Sequence, residues 1–456
     1  DPEEIAYNRD DPEWDEHVIS LIRQNETEEL KEFLSEIYYA DITHLMERLE
    51  PEEALSIFNH LDLETRGQVL LEAEETTREK ILQTLDQNEI FHIIHEQESN
   101  TAVDLISLLS PEQKSSVLSS FPLEERVKIT ELLSYEEGTA GAIMAKEFVA
   151  VNETDTVQKA IQTIRKMSRE TDNIHMVYVL DAAGKYSGHI NLNRLILASP
   201  RTRLKRIMET DLLPIPVDMD QEEVANFFTR YDFITAPVVD SRGVMLGRIT
   251  ADDILDVMQE EASEDILRMG GVSATETLAT PLISSSMKRI VWLALNLVTA
   301  SMAAGVVSLF EATIEKIVIL AALMPIVAGL GGNAGSQTMA VIIRNIALGE
   351  INLQNSRKVF FREITLGFMN GTVIGIVAGI IIYFVTGKLL LGVVIATAMV
   401  MNMLVASLAG TLFPLMLKWL GIDPAIASSI FVTACTDTLG FTIFLGLAYI
   451  ALPYIL

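Results

Sequence analysis

The stretch Pro424–Leu456, PAIASSIFVTACTDTLGFTIFLGLAYIALPYIL, decides how the rest of the chain is interpreted. It is long enough to cross a bilayer, and its one ionised residue is Asp437. A carboxylate at mid-bilayer depth costs about 2.5–3.5 kcal/mol on insertion scales, so it persists only where it meets water, a partner or an ion. Gly440, almost one turn later, keeps that side of the helix narrow. We therefore interpret Asp437 as the cation-attracting point of a pore.

The charge of the chain is unevenly distributed. Residues 281–456 hold 9 Lys and Arg against 6 Asp and Glu, a net charge of +3, whereas residues 1–280 carry −32. A strongly acidic surface repels nucleic acid and attracts cations, divalent ones above all. The alternative is an acidic surface that serves only solubility. The pattern indicates an acidic soluble half followed by a membrane half.

The sequence gives no sign of export into an oxidising compartment. Its single cysteine, Cys435, lies within a span, so no intrachain disulfide can form. The first residues, DPEEIAYNRDDPEWDE, contain no apolar segment of the kind found in signal peptides. We therefore expect the acidic half to remain in the cytosol.

Residues 1–137 predict an all-α superhelical domain. Apolar residues recur every 12 positions, with Gln97 as the one interruption: Leu49, Leu61, Ala73, Leu85, Leu109, Phe121 and Leu133. Helix-start patterns such as Glu50-Pro51-Glu52-Glu53 and Ser110-Pro111-Glu112 follow most of them. The period predicts helices of about two turns whose hairpins stack into a solenoid. We interpret His92 and His95, three residues apart, as part of an exposed helix face.

Residues 138–259 contain two copies of one α/β pattern. Ile143-Met144 recurs as Ile207-Met208, and a later set recurs with a constant offset: Asp181, Gly184, Gly188 and Ile190 as Asp240, Gly243, Gly247 and Ile249. Each copy predicts a short strand, an amphipathic helix, a strand ending in Asp, a turn with Gly, a strand and a helix. This order and its duplication resemble a tandem pair of CBS domains.

CBS pairs often bind adenosine nucleotides, and the resemblance implies one candidate site. The second copy has the pattern Gly-x-x-Thr-x-x-Asp at Gly247, Thr250 and Asp253, with Thr near phosphate and Asp on the ribose. The first copy has Asn191 and Arg194 at the corresponding places. The resemblance therefore allows ATP in the second copy, and a CBS pair without nucleotide is the alternative.

An acidic connecting helix is predicted next, over residues 260–280, and its acidic run begins at residue 252 with DDILDVMQEEASEDILR. Asp253, Asp256, Glu260 and Glu264 recur at helical spacing along one stripe, where like charges repel by tenths of a kcal/mol per pair. A bridging divalent cation would reverse that repulsion, and a solvated helix face is the alternative.

Residues 281–456 predict a five-helix α transmembrane domain. Five uncharged or nearly uncharged stretches each exceed the ~20 residues that a span needs: Ile290–Phe310, Ile317–Ile343, Ile364–Val385, Leu389–Leu417 and Pro424–Leu456. Basic residues cluster before the first span and between the second and third, at Lys288, Arg289, Arg344, Arg357, Lys358 and Arg362. The positive-inside rule then predicts a cytosolic N-terminus and an external C-terminus.

The second span carries a Gly-rich run, which predicts a break in the helix that lines a water-filled cavity. Its residues Pro325, Gly329, Gly331, Gly332, Asn333, Gly335 and Gln337 would offer hard oxygen ligands or partners for a hydrated ion. Close packing of helices through small residues is the alternative. The span amides Asn296, Asn370 and Asn402 are interpreted as helix-to-helix contacts.

The order of these parts resembles the MgtE family of magnesium channels and transporters over essentially the whole chain. Its marks are Tyr135–Gly141, YEEGTAG, at the entry to the CBS pair, and Pro325…Gly331-Gly332-Asn333-x-Gly335-x-Gln337 in the second span. Asp423-Pro424-Ala425 and Asp437-x-x-Gly440 complete them. The resemblance implies a Mg²⁺-selective channel or transporter for magnesium uptake, and no enzyme.

The resemblance also implies a homodimer in the bilayer with the pore on its two-fold axis. Two copies of Asp437 would then face one hydrated Mg²⁺, with Asn333 and backbone carbonyls such as that of Gly329 beside it. The further pore residues that it implies are Gly440, Gln337, Ser429 and Thr433. Ser429 departs from the family, which often carries Asn at this place, and Thr433 differs in size from the family's residue. The resemblance therefore does not predict the finer selectivity among divalent cations.

The family's gate is closed by cytosolic Mg²⁺ between the acidic domains and the connecting, or plug, helix. The carboxylates that match this role are Asp220, Glu222, Asp232, Asp253, Asp256, Glu261, Glu264, Asp265 and, at the inner mouth, Asp423. Flux would be driven by the membrane potential, worth ~2.3 kcal/mol per charge per 100 mV. The alternatives are a transporter of Co²⁺, Mn²⁺ or Zn²⁺, and a membrane-anchored CBS nucleotide sensor without transport.

Overall fold

The computed structural model describes residues 12–24, 26–168, 174–277, 280–351, 355–426 and 428–455. Residues 1–11, which carry most of the expectation about a missing signal peptide, lie outside the described residues. The chain divides into two compact units, Asp1–Asp256 and Val257–Leu456. The first holds the helical and α/β domains, and the second holds five long apolar helices.

Ten helices fill the described residues before position 137, which confirms the all-α N-terminal domain. They are α1 Pro12–Gln24, α2 Thr27–Ser35, α3 Tyr39–Arg48, α4 Pro51–His60, α5 Leu63–Glu72, α6 Glu75–Thr84, α7 Gln87–His95, α8 Ser99–Ser107, α9 Pro111–Ser120 and α10 Leu123–Leu132. Alternate helices pack in succession, α3 on α5, α5 on α7 and α7 on α9. Ile57, Phe58 and Ile93 are fully buried in this stack.

The 12-residue period has a simple structural origin. Leu49, Leu61 and Leu85 each occupy the position after a helix in extended backbone, where the chain turns; Leu61 is buried there, and the other two are partly buried. Ten helical residues and a two-residue connection make one period. Gln97, which interrupts the series, donates from its amide to the carbonyls of Leu63 and Glu64, 3.2 Å away in both cases.

The α/β region consists of two three-stranded sheets with identical topology. In the first, β1 Ala150–Asn152 pairs in parallel with β2 Met176–Leu180, which pairs antiparallel with β3 Tyr186–Asn191. In the second, β4 Ile215–Pro216, β5 Thr235–Val239 and β6 Met245–Thr250 repeat this arrangement. The helices of this region are α11 Ala140–Ile143, α12 Val157–Met167, α13 Leu192–Leu197, α14 Gln221–Tyr231 and α15 Ala251–Met269.

The recurring Asp and Gly of the two copies build the same turn. Asp181 accepts hydrogen bonds from the backbone amides of Ala183 and Lys185 at 2.8 and 2.9 Å, and Asp240 accepts from those of Arg242 and Val244. Gly184 and Gly243 follow with φ of +77° and +80°, a conformation that favours glycine. The repeat seen in the sequence is therefore a repeated turn between two strands.

Among the described residues of the second unit, five helices are long and apolar enough to span a membrane, as predicted. They are α16 Leu282–Leu309, α18 Ile319–Ala347, α19 Ser356–Thr386, α20 Leu389–Trp419 and α21 Ser428–Ile455, with the short α17 Glu311–Lys316 after α16. Their exposed faces carry large apolar side chains such as Phe384 and Leu309, which suit contact with lipid. Helix α20 lies centrally and packs on α18, α19 and α21.

The expected break in the second span is wrong, because α18 continues as a helix through the whole Gly-rich run. Pro325 lies inside this helix, in its second turn, where its missing amide removes one hydrogen bond of the helix without ending it. Gly331 packs against the Asn402 side chain, and Gly335 packs against Val432. The alternative, close packing through small residues, is therefore what these two glycines provide.

A second row of small residues, which the sequence reading did not use, brings α19 against α20. Gly367, Gly371, Gly375 and Gly379 recur every four residues on one face of α19. A Cβ atom at Gly375 would lie 2.6 Å from the carbonyl oxygen of Ala396, and one at Gly379 would lie 2.7 Å from that of Gly392. The backbones of the two helices are thus in contact.

Replacement of Gly375 by Ala is expected to push α19 away from α20. Overpacking of this kind costs typically about 1–3 kcal/mol, since the neighbouring atom is backbone and cannot move aside. The apparent melting temperature of the detergent-purified chain should fall. Gly305→Ala is the matched control, because a Cβ atom there meets nothing within 4 Å. Equal melting temperatures for the two variants would contradict this account of the packing.

Candidate functional site

Asp437 lies on the half-exposed face of α21. The opposite face of that helix is packed, since Val432 and Thr436 are fully buried. Within the described chain, no group donates a hydrogen bond to Asp437 or forms an ion pair with it. Ser429 and Thr433 precede Asp437 at intervals of four residues, so the three side chains lie along one stripe of the helix. This stripe is the polar face that α21 leaves outside the packed interior of the unit.

Helix α18 presents a comparable stripe. Gly329, Asn333 and Gln337 recur every four residues and are exposed in this chain. A Cβ atom at Gly329 or Gly332 would meet nothing within 4 Å. Some residues of the Gly-rich run therefore pack α18 against its neighbours, and others leave its backbone accessible.

Asn402, fully buried on α20, contacts both of the helices that carry these stripes. Its amide nitrogen donates to the carbonyl of Val327 in α18 at 2.8 Å. A Cβ atom at Gly440 in α21 would lie 2.6 Å from its amide oxygen. One side chain thus holds α18 and α21 together, which confirms it as a helix-to-helix contact. Asn333 and Asp437 each lie within one turn of residues that touch Asn402.

Gln337 lines a cavity of about 180 Å³ between α18, α19 and α20. Arg362 and Glu363 also line it, and their side chains form an ion pair at 2.9 Å. Glu363, next to the third predicted span, is only 4% exposed, a burial that the sequence did not predict. Gln337 therefore shares its surroundings with an ion pair, unlike the other residues of its stripe.

At the end of the connecting helix α15, several acidic side chains cluster around one basic residue, Arg268. Arg268 pairs with Glu264 on the same helix and with Asp423 in the loop before α21. Burial, followed by the neighbouring carboxylates of Asp423, Glu261 and Glu264, raises the pKa of Asp265 to about 6. The sequence pointed to the acids here but missed Arg268. The helix predicted for residues 260–280 is the second half of α15, which ends at Met269.

The beginning of α15 faces an acid of the helical domain within the first unit. Burial raises the pKa of Asp256, and the charges of Glu72 and Asp252 raise it further. Tyr39 lies in the same field, since its pKa is also raised, first by burial and then by Asp256, Glu72 and Asp252. Three carboxylates from two domains therefore converge, an arrangement in which like charges repel unless a cation intervenes.

The three residues of the nucleotide pattern have structural roles of their own. Gly247 lets the backbone of Ala145 approach, since a Cβ atom would lie 2.6 Å from its carbonyl oxygen. Asp253 accepts hydrogen bonds from the backbone amide of Thr250 at 2.9 Å and from its hydroxyl at 2.5 Å. Its other oxygen accepts from the Asn100 amide at 2.7 Å, which ties the helical domain to this turn. Burial raises the pKa of Asp253.

The remaining predicted metal ligands are not all brought together. Asp220 begins α14 and accepts a hydrogen bond from the backbone amide of Glu222 at 2.9 Å, so these two are neighbours. Asp232 follows the other end of the same helix in a left-handed conformation with φ of 53°. A helix of this length separates its ends by about 16 Å, so Asp232 cannot share one ion with Asp220.

One cluster of metal-ligand type escaped the sequence reading. In the described chain, His189, Glu209 and Asp211 bring one ligand atom each to within 4.8 Å of one another. The three residues come from two different copies of the α/β pattern. Only the pairing of strands could reveal their proximity.

These parts define a class of protein: a multi-span membrane protein with an acidic helical domain, a CBS pair and an acidic connecting helix. Family models match the same parts of the chain. The MgtE intracellular N domain matches residues 37–138, the CBS domain matches 140–201 and 204–260, and the MgtE divalent cation transporter domain matches 324–447.

Relatives of known name agree with these matches. The chain is 35% identical over 330 residues to the magnesium transporter MgtE of Thermus thermophilus, covering 72% of this chain and 73% of the relative. It is 27% identical over 431 residues to that of Bacillus subtilis, covering 94% and 96%. The chain belongs to the MgtE family.

Two solved structures resemble the first unit. The soluble part of a magnesium transporter is 29% identical with a TM-score of 0.50, covering 55% of this chain and 98% of that one. The cytosolic domain of the Mg²⁺ channel MgtE in complex with ATP is 30% identical with a TM-score of 0.50, covering 53% and 98%.

The buried amide of Asn402 gives a test of the site geometry. Asn402→Leu keeps the approximate size but removes the hydrogen bond to the carbonyl of Val327, whose net contribution is about 0.5–1.5 kcal/mol. We expect a lower melting temperature and weaker ion transport, because α18 and α21 lose their common contact. Asn296→Leu is the control, since Asn296 is exposed on α16. Wild-type behaviour of Asn402→Leu in both measurements would show that the contact does not hold the stripes.

Proposed function

We propose that this chain is a Mg²⁺-selective channel or transporter that mediates magnesium uptake across the cell membrane. The observation that carries the proposal is Asp437, a carboxylate in a span with no partner inside the described chain. Such a group needs water, an ion or a second subunit beside it. Membership of a family whose relatives are named magnesium transporters identifies the ion.

The pore forms between two copies of the chain, along the stripes of α18 and α21. Two Asp437 carboxylates supply a charge of −2, which matches one divalent cation. Mg²⁺ gives up its water reluctantly, so carboxylates, the Asn333 amide and the Gly329 carbonyl would bind it through its hydration shell. Thr433 and Ser429 continue this polar lining toward the start of α21, whereas Gly440 is buried and packs α21 against Asn402 of α20.

The spans are oriented with the acidic half in the cytosol. The basic residues before α16 and between α18 and α19 support this orientation, because positive charges favour the cytosolic side. The membrane potential then drives the dication inward, at ~2.3 kcal/mol per charge per 100 mV. Cytosolic acids are thus placed to meet the ion after it has entered.

Closure follows from the two acidic clusters at the ends of α15. Near its start, Asp256 faces Glu72 and Asp252, and near its end Asp265 faces Asp423, Glu261 and Glu264. Cytosolic Mg²⁺ bound at each cluster offsets the repulsion and holds the helix in place, which closes the pore. When Mg²⁺ falls, the repulsion returns and the helix is released. Arg268 limits the repulsion around Asp265, near the end of α15. The cluster around Asp256, near its start, therefore accounts for more of the response to Mg²⁺.

ATP is proposed as a modulator that binds the second CBS copy near Gly247, Thr250 and Asp253. A similar cytosolic domain has been solved in complex with ATP. In this chain Asp253 already bonds Thr250 and Asn100, so a ribose that used its carboxylate would compete with Asn100 of the helical domain. Nucleotide binding and the docking of the helical domain are therefore linked.

Asp437→Asn is expected to abolish most Mg²⁺ flux into proteoliposomes, because the paired negative charge is lost while the side-chain size is kept. A reduction of tenfold or more corresponds to at least about 1.4 kcal/mol of lost ion stabilisation. Glu311→Gln, an exposed acid of the same unit, should leave flux unchanged. Undiminished Mg²⁺ flux in Asp437→Asn would remove the pore assignment, and a preference for Mn²⁺, Co²⁺ or Zn²⁺ in the wild type would favour another dication.

The double variant Glu72→Gln with Asp256→Asn tests the sensor. Removing both carboxylates removes the ligands through which a bound cation would hold α15 to the helical domain, so currents should persist at internal Mg²⁺ concentrations that close the wild type. We expect the inhibitory concentration to rise by about tenfold or more. The control, Glu28→Gln with Glu112→Gln, makes the same charge change on exposed helix starts. Identical inhibition curves for the double variant and the wild type would exclude this cluster as a sensor.

A further inference from the structure

We propose that the CBS pair holds a site for a divalent transition-metal ion such as Zn²⁺, formed by His189, Glu209 and Asp211. The site lies outside the pore and the acidic clusters used above, and it does not depend on them. Its ligand atoms lie within 4.8 Å of one another. It combines a buried imidazole with two carboxylates, a donor set distinct from the all-oxygen clusters of the connecting helix.

The backbone fixes this arrangement before any ion binds. His189 in β3 and Glu209 form an isolated antiparallel bridge with two hydrogen bonds, in which the amide of each donates to the carbonyl of the other at 2.9 and 2.8 Å. A Cβ atom at Gly188 would collide with the carbonyl oxygen of Glu209, so the glycine permits the close approach. Asp211 follows two residues after Glu209, which returns its side chain to the same side of the extended segment.

The side chains are already oriented toward one point. Nε2 of His189 lies 3.5 Å from Oε2 of Glu209, and Nδ1 lies 3.5 Å from the Tyr186 hydroxyl. Burial lowers the pKa of His189. The Asn191 amide donates to Oε2 of Glu209 at 3.2 Å and orients the carboxylate from outside, as outer-shell groups do in metal sites.

Arg194 is the competing cation, because its guanidinium pairs with Oε1 of Glu209. The other oxygen remains directed at His189, so the two contacts use different atoms of one carboxylate. The Arg194 side chain is 43% exposed and can turn toward solvent. Asp211 is exposed and has room to complete the ligand set, with water in the fourth position.

The second CBS copy shows what the same place looks like without a metal. There Arg248 of β6 makes the equivalent backbone bridge with Ala145, again with two hydrogen bonds, and Gly247 permits the approach. Arg248 is buried and donates to both carboxylate oxygens of Glu98, at 2.7 and 3.1 Å. One copy thus supplies a buried cation, and the other supplies an imidazole facing two acids.

The donor set selects the class of ion. Imidazole with carboxylates suits Zn²⁺ and similar transition metals, whereas Mg²⁺ prefers oxygen alone and keeps its water. Zinc bonds of about 2.0–2.2 Å in tetrahedral geometry place neighbouring ligand atoms about 3.4 Å apart. The 3.5 Å between Nε2 of His189 and Oε2 of Glu209 fits this spacing, and the Asp211 oxygen lies within 4.8 Å of both atoms.

A bound ion would join the two copies of the CBS pair. His189 belongs to the part matched by the first CBS domain, residues 140–201, and the two acids belong to the second, residues 204–260. The ion would therefore act as a clamp between the two copies, added to the backbone bridge.

The test is zinc binding by the detergent-purified full chain in saturating Mg²⁺, which occupies the oxygen-only clusters. Isothermal titration and metal analysis after desalting would give the number of Zn²⁺ ions per chain. We expect His189→Gln and Asp211→Asn each to lose one ion per chain, or to weaken that site at least about tenfold, since even outer-shell changes cost about 10–100-fold. Co²⁺ should give the absorption of a tetrahedral nitrogen and oxygen site in the wild type only.

His175→Gln is the matched control, because His175 is an exposed histidine of the same copy. Asp211→Asn keeps the proposal testable if the buried His189 variant fails to fold. Unchanged zinc stoichiometry and affinity in Asp211→Asn would overturn the three-residue site. Equal loss of zinc in the His175 control would overturn it as well, since binding would then not depend on this cluster.

Discussion

A carboxylate that crosses into a bilayer must be compensated, and this constraint governs the membrane unit. Asp437 sits on a helix whose other face is packed by Val432 and Thr436, so the acid cannot be absorbed into the interior of its own chain. Asn402 secures the neighbouring helix α18 at the same level through the carbonyl of Val327. In the proposed pore, the packing of α18, α20 and α21 would hold this uncompensated charge in place. A rigid support is what a selective ion site requires, because loose ligands adapt to ions of the wrong size.

In the first unit and along α15, the corresponding constraint is the repulsion between neighbouring carboxylates. Burial and neighbouring charges raise the pKa values of Asp256 and Asp265, which means that the folded arrangement holds their negative charges at a cost. Such clusters favour any condition that supplies positive charge. Arg268 supplies it permanently at one end of the helix, and the proposed regulation relies on Mg²⁺ to supply it at the other. A cluster of this kind would respond to Mg²⁺ without a fixed set of coordinating ligands.

The duplicated CBS pair shows how one fold position can acquire two chemistries. The backbone bridges of His189 with Glu209 and of Arg248 with Ala145 are equivalent in hydrogen bonding and in the glycine that precedes each strand residue. The side chains at these places differ completely. Arg248 links the second copy to Glu98 of the helical domain, whereas His189 faces acids within the pair. Positions that are equivalent in the backbone but carry different side chains are therefore where the two copies can differ in regulation.

Sequence alone was enough to predict the order of the domains, the five spans and the duplicated α/β pattern, and it also singled out Asp437 as the acid of the proposed pore. These follow from local properties: apolar length, a 12-residue period that proved to be helix plus turn, and repeated Asp and Gly in identical turns. Tertiary structure decided the rest, because it depends on which side chains meet across distant parts of the chain. It made the Gly-rich run a continuous packed helix, assigned Arg268 to Asp423, and placed Asp253 against Asn100. It also brought His189 to Glu209 and Asp211, since only strand pairing joins residues that periodicity and spacing leave apart.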